Sequence, residues 1–114
     1  MSNGKNSEAK IKRYSVHWFD PDPSVGSELR KIRPCLVLSP DELNDRLRTI
    51  IVAPLTSKIR LWPFRVTIII MGHRSSVACD QLRAIDRTRF RGYIATLASD
   101  DAQAVQQILQ EIFS

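Results

Sequence analysis

The sequence predicts a mainly β fold with helices (α+β), in which a small, strongly bent antiparallel sheet or barrel carries a C-terminal helix. Three observations support this prediction. Short apolar segments alternate with turn residues along most of the chain, 114 residues suffice for one domain with its own core, and the last segment has helical periodicity. We expect a single domain over residues 13–114, preceded by a polar, disordered tail over residues 1–12.

Five or six short strands account for most of the predicted domain. Runs of β-branched and aromatic residues bounded by turn-forming residues are typical of strands. The predicted strands cover residues 14–19, 34–38, 49–55, 65–71, 77–82 and 92–97. A turn over residues 72–76 separates the fourth strand from the fifth, and one helical turn is predicted over residues 85–90.

Two helices are predicted, and each has a start signal in the sequence. Ser39 can cap the first helix, with Pro40 in its first turn and Glu42 three residues after the cap. We expect this helix to end near Arg46. Ser-Asp-Asp opens the last helix at residue 99, because acidic residues favour a helix N-terminus. Its apolar residues predict one core-facing stripe, formed by Ala102, Val105, Ile108, Leu109 and Ile112.

The charge of the chain favours a polyanionic partner. Seventeen basic and twelve acidic residues give a net charge of +5 and a pI of about 9.7. Residues 58–91 hold eight of the cations and two acids, whereas residues 92–114 hold no cation and three acids. The excess is therefore regional, as a binding face requires, although solubility alone would also explain a positive balance.

The cysteines and histidines do not predict a metal or cofactor site. Cys35 and Cys79 lie in apolar, strand-like segments without the spacing of zinc ligands. His17 alternates within a strand and His73 lies in a predicted turn, so each is isolated. No secretory signal or membrane-spanning run occurs in the sequence. We therefore expect a reduced, cytoplasmic protein with no cofactor, no metal and no membrane partner.

The most chemically varied segment is residues 25–34, Val-Gly-Ser-Glu-Leu-Arg-Lys-Ile-Arg-Pro. It places a hydroxyl, a carboxylate and three cations directly before an apolar strand. Pro34 favours an extended conformation at Arg33, so the strand should hold this arginine better than a free loop would. A solvated, charged hairpin tip is the alternative interpretation.

Two further groups of polar residues follow or interrupt apolar segments. They are Thr56 with Ser57, and Asp80 with Gln81 and Arg83. Because strand ends converge at one rim of a small barrel, these groups and the first segment can meet there. The planar, permanently charged fork of arginine suits a phosphodiester and its transition state. RNA supplies its own nucleophile, the 2′-hydroxyl, so cleavage needs only alignment, charge stabilisation and proton transfer.

Four blocks of the sequence occur in a recognisable order. They are Val-Gly-Ser-Glu at 25–28 with Arg-Pro at 33–34, Val-Ala-Pro-Leu-Thr-Ser at 52–57, Trp-Pro-Phe at 62–64, and Asp-Gln-Leu-Arg at 80–83 with Ile-Asp at 85–86. From about residue 14 to the C-terminus, the chain resembles the MazF/PemK (Kid) family of toxin endoribonucleases. It departs from the family at Tyr14-Ser15, where Gly-Asp is usual, and from the Kid branch at Ser27 and Ala78, where His and Arg occur.

The resemblance implies an SH3-like barrel of the CcdB/Kid/MazF type that acts as a homodimer. It further implies a sequence-specific, metal-independent mRNA interferase that cuts single-stranded RNA and inhibits translation and growth. The implied products carry a cyclic phosphate and a 5′-hydroxyl, and the implied inhibitor is a cognate antitoxin with an acidic, flexible segment. The alternatives are a toxin of the same fold that poisons a topoisomerase (gyrase) and a non-catalytic nucleic-acid-binding barrel.

The resemblance assigns catalytic positions to Arg33 and Thr56, and places Ser27, Glu28 and Gln81 beside the site. We expect Glu28 to act catalytically, either by orienting Arg33 or by relaying a proton. Together with charge and polarity, these matches predict a substrate-binding set of Ser27, Arg30, Lys31, Ser57, Lys58, Arg60, Trp62, Phe64, Asp80, Gln81 and Arg83. For Asp80, the alternative to substrate binding is a purely structural role. The two aromatic residues of this set are either base-stacking platforms or ordinary core aromatics.

Overall fold

The structure is a computed structural model that describes residues 10–21 and 31–114. Its elements in chain order are β1 (Ser15–Phe19), β2 (Arg33–Val37), α1 (Asp41–Asn44), β3 (Thr49–Thr56), β4 (Arg65–Ile70), β5 (His73–Ala78), β6 (Arg83–Asp86), a short 3-10 helix (Arg87–Arg89), β7 (Phe90–Thr96) and α2 (Ser99–Ile112). Within these described ranges, no helix is long and apolar enough to cross a membrane.

The strands form one curled sheet in the order β4-β5-β3-β2-β1-β7, and β6 also pairs with β3. The strand β3 belongs to both halves of the curl. Its first half, residues 49–52, pairs with β6, and its last two residues, Leu55 and Thr56, pair with β5. All of these pairings are antiparallel. The predicted fold class, a bent antiparallel sheet with a C-terminal helix, is confirmed.

The two faces of the sheet carry two separate apolar clusters, because successive side chains of a strand point in opposite directions. In β2, Leu36 belongs to the cluster covered by α2, whereas Cys35 and Val37 belong to a second cluster with Phe19. Val105 of α2 is fully buried. The rest of the predicted helix stripe packs around it and consists of Ala102, Ile108, Leu109 and Ile112.

The hairpin between β4 and β5 is tighter than predicted. The expected turn over residues 72–76 is confined to Met71 and Gly72, whose φ angles are 52° and 81°. Ile70 already pairs with His73, and a two-residue turn with positive φ at both positions matches the twist of a hairpin. The prediction was wrong here because polar side chains on the partly exposed β5 conceal its strand character.

The strand predicted over residues 77–82 ends at Ala78. The chain turns there, and the Gln81 amide donates to the Ala78 carbonyl (2.9 Å). The extra strand β6 follows, where the sequence predicted the beginning of a helical turn. That turn is shortened to the 3-10 helix after Asp86, whose Oδ1 accepts a hydrogen bond from the Thr88 amide (2.9 Å). A four-residue strand is too short to show a clear alternation in sequence.

The predicted cap of α1 is also wrong. Pro40 holds the N-cap position and no side chain caps this end. Ser39 is buried instead, where it donates to Asn44 Oδ1 (2.5 Å) and accepts from the Ile51 amide (3.0 Å). Its hydroxyl therefore ties α1 to β3, and the helix ends at Asn44, within two residues of the expected end near Arg46.

The chain joins the core before the predicted domain boundary at residue 13. Ile11 packs against the cluster that contains Phe19, and the Lys12 amide donates to Ser15 Oγ (3.2 Å). The first nine residues of the predicted tail lie outside the described residues.

Candidate active site

Strands β2 and β3 bring Arg33 and Thr56 to neighbouring positions. Their ladder ends where Cys35 pairs with Pro54. The same register, if extended by two residues, would set Arg33 opposite Thr56, and directly opposed residues present their side chains on the same face. On its other side, Arg33 pairs with the buried Phe19 of β1.

The strand β6 adds a second arginine to this face. Arg83 pairs with Val52 of β3, and its guanidinium carbon lies 5.8 Å from the centre of the Phe19 ring. Phe19 is also the cross-strand partner of Arg33, so both arginines neighbour the same buried residue. Both arginines are exposed. We call Arg33, Thr56 and Arg83 the Phe19 rim.

Thr56 is oriented by its own backbone. Its Oγ1 accepts a hydrogen bond from the Lys58 amide (3.1 Å), a local bond that threonine often makes at the end of a strand. The hydroxyl proton remains available as a donor. Thr56 is half-buried, and the following residues Ser57 and Lys58 are exposed. The rim therefore combines two accessible cations with a positioned hydroxyl.

The loop after β3 carries an aromatic side chain with two cations against it. The guanidinium carbons of Arg60 and Arg65 lie 4.9 and 4.8 Å from the centre of a Trp62 ring. Trp62 is 49% exposed and Phe64 is 40% exposed. The alternative that these two residues are ordinary core aromatics therefore does not hold.

Asp80 lies on the turn after β5 and is bound by Arg65. Arg65 Nε donates to Asp80 Oδ1 (2.6 Å) and Nη2 to Oδ2 (3.3 Å). This bidentate bond lowers the pKa of Asp80 below its usual value, because it favours the charged carboxylate. The neighbouring Gln81 is exposed. The same turn therefore presents the fixed carboxylate of Asp80 and the exposed amide side chain of Gln81.

The buried histidine and the two thiols are unsuited to proton transfer or nucleophilic attack near neutral pH. His17 Nε2 lies 2.8 Å from Ser15 Oγ, and burial lowers the pKa of His17 to about 4. Burial raises the pKa of Cys35 to about 12 and contributes most of the rise at Cys79, to about 11. In the part of the chain that the structure describes, no group of three or more His, Cys, Asp or Glu residues is placed to hold a metal ion.

Several cations of the basic region are bound to carbonyl groups of the backbone. Arg87 donates to the carbonyls of Asn44 and Leu47, Arg89 to those of Asp20 and Pro21, and Arg91 to those of Thr88 and Phe90. These arginines fasten the 3-10 helix and the start of β7 to neighbouring segments. The charge counted in the sequence therefore overstates the charge available to a ligand.

The structure brings together only part of the predicted site. Lys31 lies exposed just before β2. The positions of Ser27, Glu28 and Arg30 fall outside the described residues, and their roles stay predictions. Sequence reasoning missed Arg65, which follows the Trp-Pro-Phe block directly. The signal needed to find it was the pairing of β4 with β5, because this pairing brings Arg65 close to the Asp-Gln block.

A family model described as "PemK-like, MazF-like toxin of type II toxin-antitoxin system" matches residues 12–113. The chain belongs to this family. The predicted family is thereby confirmed.

Relatives and solved structures agree with this assignment. Endoribonuclease EndoA of Bacillus subtilis (strain 168) is 32% identical over 106 residues, which cover 88% of this chain and 91% of the relative. Endoribonuclease toxin MazF of Escherichia coli (strain K12) is 30% identical over 90 residues, covering 78% of this chain and 81% of the relative. A MazE-MazF structure (Form-II) from Deinococcus radiodurans superimposes with a TM-score of 0.79 at 28% identity, over 91% of this chain and 96% of that one.

Proposed function

We propose that this chain is the toxin of a type II toxin–antitoxin pair and cuts single-stranded RNA, including mRNA, at short sequences. The predicted enzyme class, endoribonuclease, is confirmed by the family match and by two relatives that carry this name. One observation carries the proposal for the chemistry. It is the direction of the β2–β3 ladder, whose register extended by two residues would set Arg33 opposite Thr56, on the face where Arg83 borders the buried Phe19 ring.

The proposed reaction is attack of a ribose 2′-oxygen on the adjacent phosphorus. The bond from phosphorus to the 2′-oxygen forms while the bond to the 5′-oxygen breaks. The 2′-hydroxyl loses a proton to a base, and the leaving 5′-oxygen gains one. The products are a 2′,3′-cyclic phosphate and a 5′-hydroxyl. Side chains can supply both proton transfers and the charge stabilisation, so the proposed reaction requires no metal ion.

Arg33 would stabilise the extra negative charge of the pentavalent transition state. An arginine stays charged near neutral pH and is a poor base, so the charge of Arg33 should matter more than its proton. Thr56 would donate its hydroxyl proton to a non-bridging phosphate oxygen, which can only accept, while Oγ1 also accepts from the Lys58 amide. Glu28 keeps the role implied by the resemblance, which is to orient Arg33 or to relay the 2′-proton.

The RNA chain would extend from the Phe19 rim over the loop after β3. Lys58 and Arg60 are exposed there, and exposed cations attract phosphates without reading sequence. Half-exposed Trp62 and Phe64 would contact unpaired bases, as aromatic side chains do in single-strand binders. The remaining proposed contacts come from Lys31, Ser57, Gln81 and the residues of the 25–34 segment.

The chain would act as a homodimer in the cytoplasm and be neutralised by a cognate antitoxin. In the described sheet, β4 lies at the end of the strand order and exposes Ile69, and Met71 is exposed in the adjoining turn. Edge strands with exposed apolar residues are normally covered, and a second copy would cover this one. The Deinococcus radiodurans neighbour was solved as MazE-MazF, which supports an antitoxin partner. A net charge of +5 suits an acidic antitoxin segment.

Incubation of the purified protein with a long RNA and a chelator tests the proposed function. Discrete fragments with cyclic phosphate and 5′-hydroxyl ends are the expected result, and an RNA with 2′-deoxy sugar at the cleaved step should resist cutting. A bare binder would instead show salt-sensitive affinity without fragments. A topoisomerase poison would leave the RNA intact and inhibit gyrase. Either of these two results would contradict the proposal.

A further inference from the structure

Arg65 is more deeply buried than a binding cation should be. Its side chain is 6% exposed, whereas that of its ion-pair partner Asp80 is 32% exposed. Arginine is rarely buried unless it is paired, and here it satisfies both oxygens of one carboxylate. Arg65 therefore presents little surface to a phosphate, and its main effect on a ligand should pass through the groups that it holds.

Two segments meet at Arg65. The Arg65 amide donates to the Trp62 carbonyl (3.1 Å), and the Cys79 amide donates to the Phe64 carbonyl (3.1 Å). The guanidinium of Arg65 then joins the Trp62 ring to the Asp80 carboxylate. The end of the loop after β3 and the turn after β5 therefore form one fixed unit, which we call the Trp62–Asp80 unit.

The Asp80 carboxylate is a preformed acceptor in this unit. Each oxygen accepts one hydrogen bond from Arg65, and each retains a second acceptor position. The lowered pKa of Asp80 keeps the group ionised, so it accepts and does not donate. Exocyclic amino groups of adenine, cytosine and guanine are donors, and uracil has no such group. Uracil offers only its ring N3–H, so a fixed, partly exposed carboxylate that faces an exocyclic amino group discriminates between bases by the position of the donor.

We propose that Arg65 is a positioning residue for RNA specificity, which holds Asp80 so that its carboxylate accepts a hydrogen bond from the amino group of one base lying beside Trp62. This inference rests on the proposed function and assigns base recognition to one place in the site. A purely structural Arg65–Asp80 pair would affect stability, but its removal would leave the choice of base unchanged.

The test deletes single amino groups from a tightly bound RNA. The preferred sequence is first selected from a random pool of 2′-fluoro RNA, which lacks the nucleophile and is not cut. At each position, guanosine is then replaced by inosine, adenosine by purine riboside, or cytidine by the pyrimidin-2-one riboside. Affinities are measured for wild type, Asp80→Asn and Arg65→Lys, with Arg13→Lys as the matched control. Arg13 also stacks on an aromatic ring, that of Tyr14, at 5.1 Å.

For wild type and Arg13→Lys, we expect removal of one amino group to weaken binding about tenfold, as for the loss of a hydrogen bond to a charged group. In Asp80→Asn and Arg65→Lys, the same removal should change affinity less than about twofold. No amino-sensitive position in wild type, or full sensitivity in both variants, would overturn the inference. If Arg65→Lys fails to fold, Asp80→Asn alone decides, because it retains the side-chain shape.

Parallel cleavage of the all-ribose RNA separates this inference from the proposed function. Wild type that binds with the expected amino sensitivity but produces no fragments supports the inference and contradicts the nuclease proposal. Wild type that cuts RNA, while Asp80→Asn keeps the base preference of wild type, supports the nuclease and overturns the inference.

Discussion

Two groups of arginines on this small sheet illustrate how the same side chain serves different purposes. Arg33 and Arg83, at the Phe19 rim, are exposed above a buried aromatic ring. Arg87 and Arg89, near the start of β7, direct their guanidinium groups to backbone carbonyls. The first group is available to a ligand. The second group donates hydrogen bonds to backbone carbonyl groups. Net charge does not distinguish them, because that distinction depends on what surrounds each guanidinium.

The largest expected effect comes from the rim. Arg33→Ala should reduce the rate of RNA cleavage by about 10²–10³, the usual loss on removal of a preorganised electrostatic donor. Arg33→Lys retains the charge but not the bidentate fork, so it should lose most activity yet exceed the alanine variant. Single-turnover cleavage rates measure both effects, and RNA affinity should change far less.

Arg13→Ala serves as the matched control for this experiment, because Arg13 is an exposed arginine on a different aromatic ring. It should cut RNA at the wild-type rate. Cleavage by Arg33→Ala at a near wild-type rate would show that the rim is not the catalytic centre.

The scaffold should respond to pH through His17. The pKa of His17 is lowered from 6.5 to about 4 by burial in the folded protein, so unfolding takes up a proton between these two values. The free energy of unfolding should therefore fall as pH decreases from 6.5 to 4, by up to about 3 kcal/mol. Urea denaturation at pH 7 and pH 4.5 measures the change.

His17→Gln should remove most of this pH dependence, because the substituted side chain does not titrate. The pKa of Asp80 is also lowered, from its usual value of 3.8. This carboxylate therefore becomes protonated, and loses its bond to Arg65, only at a pH below the range in which His17 titrates. An unchanged slope between pH 6.5 and 4 in His17→Gln would assign the effect to other groups.

Among the arginines bound to backbone carbonyls, Arg87→Ala should destabilise the fold without changing the rate of RNA cleavage. It leaves the carbonyls of Asn44 and Leu47 without their arginine donor. Hydrogen bonds to a charged donor contribute about 1.5–3 kcal/mol, so we expect a loss of about 2 kcal/mol in a urea titration. Cleavage per folded molecule should equal that of wild type, and a selective loss of activity would place Arg87 in the site.

The smallest effect should come from the loop cations. Reversing charge at Lys58 and Arg60 together should weaken RNA binding and reduce the slope of log K against log salt by about 1.4, roughly 0.7 for each lost phosphate contact. The double reversal of Lys12 and Arg13, both exposed at the other end of the chain, is the matched control. Equal slopes in the two double variants would place the RNA groove elsewhere.

The sequence predicted the elements that depend on local pattern. The periodic stripe of α2 and the apolar runs of β1, β2 and β3 were placed to within one or two residues, because the buried residues of each element are visible in its own sequence. The same local approach missed β6 and the early start of β5. These strands are short or polar, and their pairing with β3 and β4 defines them.

For the candidate site, the sequence by itself determined which residue types are available: an arginine before a proline, a threonine at a strand end and a basic aromatic loop. Tertiary structure alone decided how they are used. The β2–β3 ladder runs toward Arg33 and Thr56, two residues beyond its last pair, and the pairing of β4 with β5 brings Arg65 to Asp80. The reason is physical. Contacts between residues distant in sequence depend on the register, and in a strand a shift of one residue turns every side chain to the opposite face.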